Sequence, residues 1–129
     1  MKPTQIKMIQ ARSKRLAVRI IDPQYAGDPF VMIVGSRSNS TLNRIVTVKF
    51  ERAGRISARC TCQWAAHGGV ACAHVIAALS RLAARKHRSL SFWLTPEDAH
   101  RQKQVLFRLG SGPGENIWIT SRRPALHRT

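Results

Sequence analysis

The chain has 129 residues and carries 22 Lys or Arg against 6 Asp or Glu, a formal net charge of +16. Its hydrophobic content of 43% is enough for one folded domain with a modest core, which excludes a disordered basic tail. No apolar run approaches the roughly 18–20 residues of a membrane span, and Lys7, Arg12, Lys14 and Arg15 interrupt any secretory core. Three cysteines cannot all pair with one another, which fits a reduced compartment. A cytoplasmic or nucleoid-associated, non-secreted protein is therefore expected. Arg outnumbers Lys sixteen to six, favouring forked contacts to phosphate. A polyanion is the expected partner class.

Residues 1–15 are basic, with Ile6 and Ile9 three apart, and read either as a docked helix or as a mobile basic arm. Leu16, Val18 and Ile20 then alternate with Ala17 and Arg19, the period of a half-buried strand. Asp22-Pro23 and the segment 26–29 carry turn chemistry. Phe30 to Val34 reads as a second, well-buried strand, followed by a polar loop from Gly35 to Asn43.

Residues 45–62 predict a hairpin. Val46, Val48 and Phe50 share a face, as do Ile56, Ala58, Cys60 and Cys62. The two sets fall together if Phe50 pairs with Ile56, Val48 with Ala58, and Val46 with Cys60. That register needs a three-residue loop, Arg52-Ala53-Gly54, with Gly54 at its left-handed position. Gln63 to Ala71 is a loop, and Val75 to about Arg88 predicts a helix rich in Ala and Leu. Phe92 to Leu94 leads into Thr95-Pro96-Glu97-Asp98, which has the cap, first-turn proline and acids of a helix start. That helix should run to about Gln104. Val105 to Leu109 and Ile117 to Thr120 predict two strands joined by a Gly/Pro-rich turn, and residues 121–129 form a basic tail.

The three cysteines lie within thirteen residues, in the order Cys60-Thr61-Cys62 and, nine residues on, Cys72-Ala73-His74. Cys3His is a normal structural zinc set. Two thiolates two apart on a strand project from one face, and a loop-to-helix junction can turn the second pair inward. A helix N-terminus at that junction favours thiolate over thiol. The bland alternative is three buried thiols and a packed histidine; His67, inside the loop, is an alternative ligand that breaks the CxH spacing. Zinc in such a site contributes apparent folding free energy of about 10 kcal/mol. No Glu or Asp lies between residues 52 and 96, so a general base beside the metal is lacking and the zinc is expected to be structural. The pattern of nucleobase deaminases is missing as well.

CxC followed by CxH resembles the SWIM zinc finger. The resemblance extends from Val31-to-Ser36 through the hairpin Ile45-to-Cys62 to the helix that opens at His74-Val75-Ile76-Ala77-Ala78-Leu79, and covers roughly residues 31–85. Gln63 departs from the family, many of whose members carry Pro directly after the second Cys; Trp64 follows as it often does. The resemblance implies a finger that contacts DNA or protein rather than one that catalyses, as in transposases, chromatin-remodelling ATPases and recombination accessory proteins.

The expected fold is α+β: a small antiparallel sheet whose hairpin a zinc site joins to the following helix, plus a short helix and a C-terminal hairpin. The expected organisation is a basic N-terminal helix or arm at 1–15, a SWIM-like zinc-binding domain at 16–88, a helix-and-hairpin extension at 89–120 packed on it, and a basic tail at 121–129. Projected at about 100° per residue, Val75, Leu79 and Leu82 face the hairpin, while Arg81, Arg85 and Arg88 fall on the opposite side without an acid among them. These three are the leading nucleic-acid contacts. Lys49, Arg55 and Arg59, on the outer hairpin face, are weaker ones, since Glu51 can pair with Arg55. Trp64, Trp93 and Trp118 are expected in the core or in satellite clusters rather than as base-stacking platforms. The function expected is that of a non-enzymatic, zinc-dependent nucleic-acid-binding accessory or regulatory protein, DNA favoured over RNA. A module docking on an acidic protein, or on a polymerase or ribosome, is the alternative. No membrane or small-molecule substrate is expected.

Overall fold

The hairpin of β-branched and alternating residues is the organising element. In the computed structural model, which describes residues 3–21, 30–36, 43–51, 54–61, 72–102, 105–110 and 117–122, strands β3 (Arg44–Phe50) and β4 (Arg55–Cys60) pair antiparallel. Phe50 faces Ile56, Val48 faces Ala58 and Val46 faces Cys60, the register expected from the alternation. Gly54 has φ 71, the left-handed conformation the loop requires. Val46, Val48 and Ile56 are buried, whereas Phe50, at the hairpin end, is 45% exposed and packs edge-on against Phe30.

Two strands extend this hairpin on the β3 side. Strand β2 (Phe30–Gly35) pairs with β3, and β1 (Ala17–Ile21) pairs with β2, both antiparallel. On the β4 side the sheet continues through β6 (Val105–Leu109) and β7 (Ile117–Arg122) to β5 (Ser89–Trp93). The order is therefore β1-β2-β3-β4-β6-β7-β5, and one pairing, β4 with β6, is parallel. The small antiparallel sheet expected from the sequence is thus a larger mixed one. The C-terminal hairpin joins it directly, and β7 inserts between β6 and a strand at residues 89–93 that the sequence pattern does not announce. Ser121 and Arg122 belong to β7, not to a tail, and Ser121 is buried.

Helix α2 (Ala73–Arg85) follows the hairpin and fills the concave face with Val75, Ile76, Ala78, Leu79 and Leu82. It touches β1, β2, β3, β4 and also β5, so the sheet curls until both of its edge strands reach the same helix. Helix α1 (Pro3–Ser13) packs on α2 and β5, with Ile6 buried in the core and Gln10 Nε2 donating to the Leu90 carbonyl at 3.3 Å. The N-terminal segment is therefore a docked helix lying over the open side of the curl.

Two helix ends fall earlier than the periodicity predicts. Helix α2 stops at Arg85 because His87 takes φ 56; its N–H donates to Ala84 O at 3.0 Å and that of Arg88 to Ala83 O at 2.9 Å. This is a Schellman closure with histidine in the place usually held by glycine. Helix α3 (Pro96–His100) starts as expected, with Thr95 Oγ1 accepting from the Asp98 N–H at 3.2 Å, but ends at His100 rather than near Gln104. It lies against β5 and β7.

Candidate metal centre and basic surfaces

Cys60 is the last residue of β4, on the face that looks toward α2, and is half-buried against the core. Cys72 is the N-cap of α2, in extended conformation, and its Sγ accepts from the Val75 N–H at 3.4 Å. His74 stands two residues on, in the first turn. The hairpin thus delivers one ligand from a strand end while the helix start delivers two, and their ligand atoms all lie within 4.8 Å of one another. His74 Nδ1 is buried with no hydrogen-bond partner among the described residues.

That orphaned nitrogen is the test of fit. A buried imidazole nitrogen without a partner is costly, and a cation that accepts its lone pair removes the cost. Two sulfurs and an imidazole are the donors zinc prefers, and they suit one zinc ion. Cys62, expected as the fourth ligand, and His67, its alternative, lie outside the described residues, as does Trp64. Strand β4 ends at Cys60 and Thr61 is a bend.

The basic residues divide. Arg81 and Arg85 are exposed on α2, on the side away from the sheet, and among the described residues neither makes an ion pair. Arg88 does not continue their stripe, because the helix has already ended. Its Nε donates to Ser121 Oγ and its guanidinium Nη2 to the Ser121 carbonyl at 2.8 Å, so it is half-buried and fastens the helix end to β7. Lys49 and Arg59 are exposed on the outer sheet face, opposite Ser57 and Thr47. Arg55 is on that face too, with Glu51 3.4 Å from its Nε.

Residues the sequence did not single out join them. Arg108 of β6 is exposed and sits directly beside Arg55 across the parallel pairing. Beyond it, in the same cross-strand row, come Trp118 and Trp93. Both tryptophans are half-buried on the outer face, outside the main core, and Trp93 Nε1 donates to Thr120 Oγ1 at 2.9 Å. The alternation of Phe107 and Leu109 about Arg108 signals the face, but not its neighbour. Lys14, at the end of α1, is another exposed cation and adjoins Arg81 and Arg88 in a cleft described below.

Comparison with known proteins agrees with the ligand geometry. The SWIM zinc finger family matches residues 45–83, which is β3, β4, the connecting segment and most of α2. That segment is under a third of the chain, and it contains every residue of the CxC and CxH motifs. No curated protein and no solved structure matches the chain. No helix among the described residues is long and apolar enough to cross a membrane.

Proposed function

We propose that the protein is a non-enzymatic, zinc-stabilised nucleic-acid-binding accessory protein, with Cys62 completing the metal set of Cys60, Cys72 and His74. The observation that carries this reading is the placement of Arg81 and Arg85. They stand exposed, without acidic partners among the described residues, on the helix whose first turn holds two of the metal ligands, in a chain of net charge +16.

Bound zinc supplies a Lewis-acid cross-link between a strand end and a helix start, and no more. The chain's own residues do the rest. Val75, Leu79 and Leu82 seat α2 in the curl of the sheet, which holds the opposite side of the helix at a fixed orientation. Arg81 and Arg85 present guanidinium forks to phosphate oxygens from that side, while Lys49, Arg55, Arg59 and Arg108 add cations on the outer sheet face. Arg88 fastens the helix end to β7. Binding of this kind is dominated by counterion release. DNA is favoured over RNA on the resemblance of the zinc motif.

The test is a salt-titrated binding panel of duplex and single-stranded DNA and RNA, with zinc content measured on the same protein. Reversal of both Arg81 and Arg85 to Glu should weaken binding by about tenfold or more near 0.1 M salt and flatten the salt slope. Zinc stoichiometry should stay at one. Undiminished binding by a folded, zinc-loaded double variant would refute the assignment of this surface.

A further inference from the structure

We propose that the cleft between the two free edges of the sheet holds a phosphate group of a single nucleic-acid strand. The proposal rests on the nucleic-acid reading above and names where the strand enters.

The curl of the sheet brings β1 and β5, its two edge strands, to the same helix without pairing them. Helix α1 covers part of the opening. What remains is a cleft of about 600 Å³, floored by α2 and walled by the end of α1, the start of β1 and the start of β5. On its floor α2 presents Ala77, Ser80 and Ala84, short side chains that leave the space unfilled. Three cations line it: Lys14 from the turn after α1, Arg81 from α2, and Arg88 from the turn before β5. Among the described residues no acidic side chain lines it.

The three differ in how they are held. Lys14 and Arg81 are exposed, whereas Arg88 is fixed by its bonds to Ser121, which orient the guanidinium before any ligand arrives. A pre-oriented guanidinium flanked by two adjustable cations is a phosphate receptor in chemical terms. The volume lies in the range of small-ligand sites, large enough for a nucleotide-sized group. A duplex holds its phosphates on a paired and stacked backbone, while a single strand can turn one into such a recess. The sheet edges on either side add backbone donors and acceptors, of which the Leu90 carbonyl is already engaged by Gln10. Lys14 joins Arg81 and Arg88 from a distant segment, so the helical stripe Arg81–Arg85–Arg88 does not describe the site. Arg85 lies outside it.

The experiment uses full-length, zinc-loaded protein and fluorescein-labelled octathymidylate and octauridylate, followed by anisotropy near 0.1 M salt. Lys14→Gln and Arg81→Gln should each weaken binding about fivefold, and Lys86→Gln, which removes the same charge at an exposed position outside the cleft, no more than about twofold. A double variant Ser80→Leu/Ala84→Leu, which fills the floor without altering charge, should weaken binding about tenfold, with circular dichroism confirming the fold. Equal losses in the three charge variants, with the filled variant unaffected, would overturn the cleft and leave nucleic-acid binding standing. Octaglutamate displacing the oligonucleotide at equal concentration would assign the cleft to acidic peptides and overturn its proposed occupant. Failure of the wild-type protein to bind any nucleic acid would remove the functional reading itself.

Discussion

Gly54 answers two demands at once. Its φ of 71 is one that L side chains adopt at a cost of about 1 kcal/mol, and a Cβ there would stand 2.9 Å from the carbonyl oxygen of Leu106. The second demand comes from β6, which runs past the hairpin loop on its way to pairing with β4. Gly54→Ala should therefore destabilise by about 2 kcal/mol, more than the loop conformation alone explains, because the obstructing atom is backbone and cannot rotate away. Urea unfolding checks the value. The left-handed requirement was readable from the length of the loop. The close approach was not, since nothing in residues 50–56 reveals that a strand some fifty residues later lies against them.

Among the elements, α2 shows what pattern can and cannot convey. Its buried side follows from the spacing of Val75, Leu79 and Leu82, and its start follows from the CxH motif. Its end is hidden, because the left-handed position is held by His87 rather than by glycine or asparagine, the residues that usually mark a helix stop. The Ala-Arg-Lys run invites extension to Arg88, and so a residue bonded to Ser121 looks like a free member of the helical stripe. His87→Gly should remove the strain and stabilise the protein by about 1 kcal/mol, a rise of about 3 °C in Tm by scanning calorimetry. The hairpin register, the α3 cap at Thr95 and the clustering of Cys60, Cys72 and His74 were legible because each rests on local spacing. Strand β5 was not, being five residues long and starting straight after a helix-ending turn. The Arg55–Arg108 neighbourhood was hidden for a related reason: it depends on a parallel pairing between segments that share no local signal.

At the scale of the whole molecule the metal centre and the core are one structure. Cys60 and Cys72 pack with the buried residues, and α2 contacts the strands of both sheet edges. Structural zinc contributes apparent free energy of about 10 kcal/mol or more, comparable with the entire stability of a domain this size. Chelation should accordingly unfold the chain rather than fray one loop. The near-UV circular dichroism of Trp93 and Trp118, on the opposite face of the sheet, should collapse with EDTA and return with added zinc. A signal that survives chelation would show that the sheet folds without the ion.

The single parallel joint sets the order in which this molecule can be built. Strands β1 to β4 form a meander, each pairing with its sequence neighbour, and β6 and β7 likewise pair as neighbours, so most of the sheet assembles from nearby segments. The join between the two halves is short: Arg55 opposite Arg108, Ile56 opposite Leu109, and the Gly110 N–H donating to the Ile56 carbonyl. Its partners are about fifty residues apart, which makes its closure the entropically expensive step of folding. A cross-link from Cys60 to Cys72 and His74 shortens that path from inside. Zinc held by Cys60, Cys72 and His74 would act on the time course of folding as well as on its end point, by bringing α2, and the strands that follow it, within reach of the hairpin.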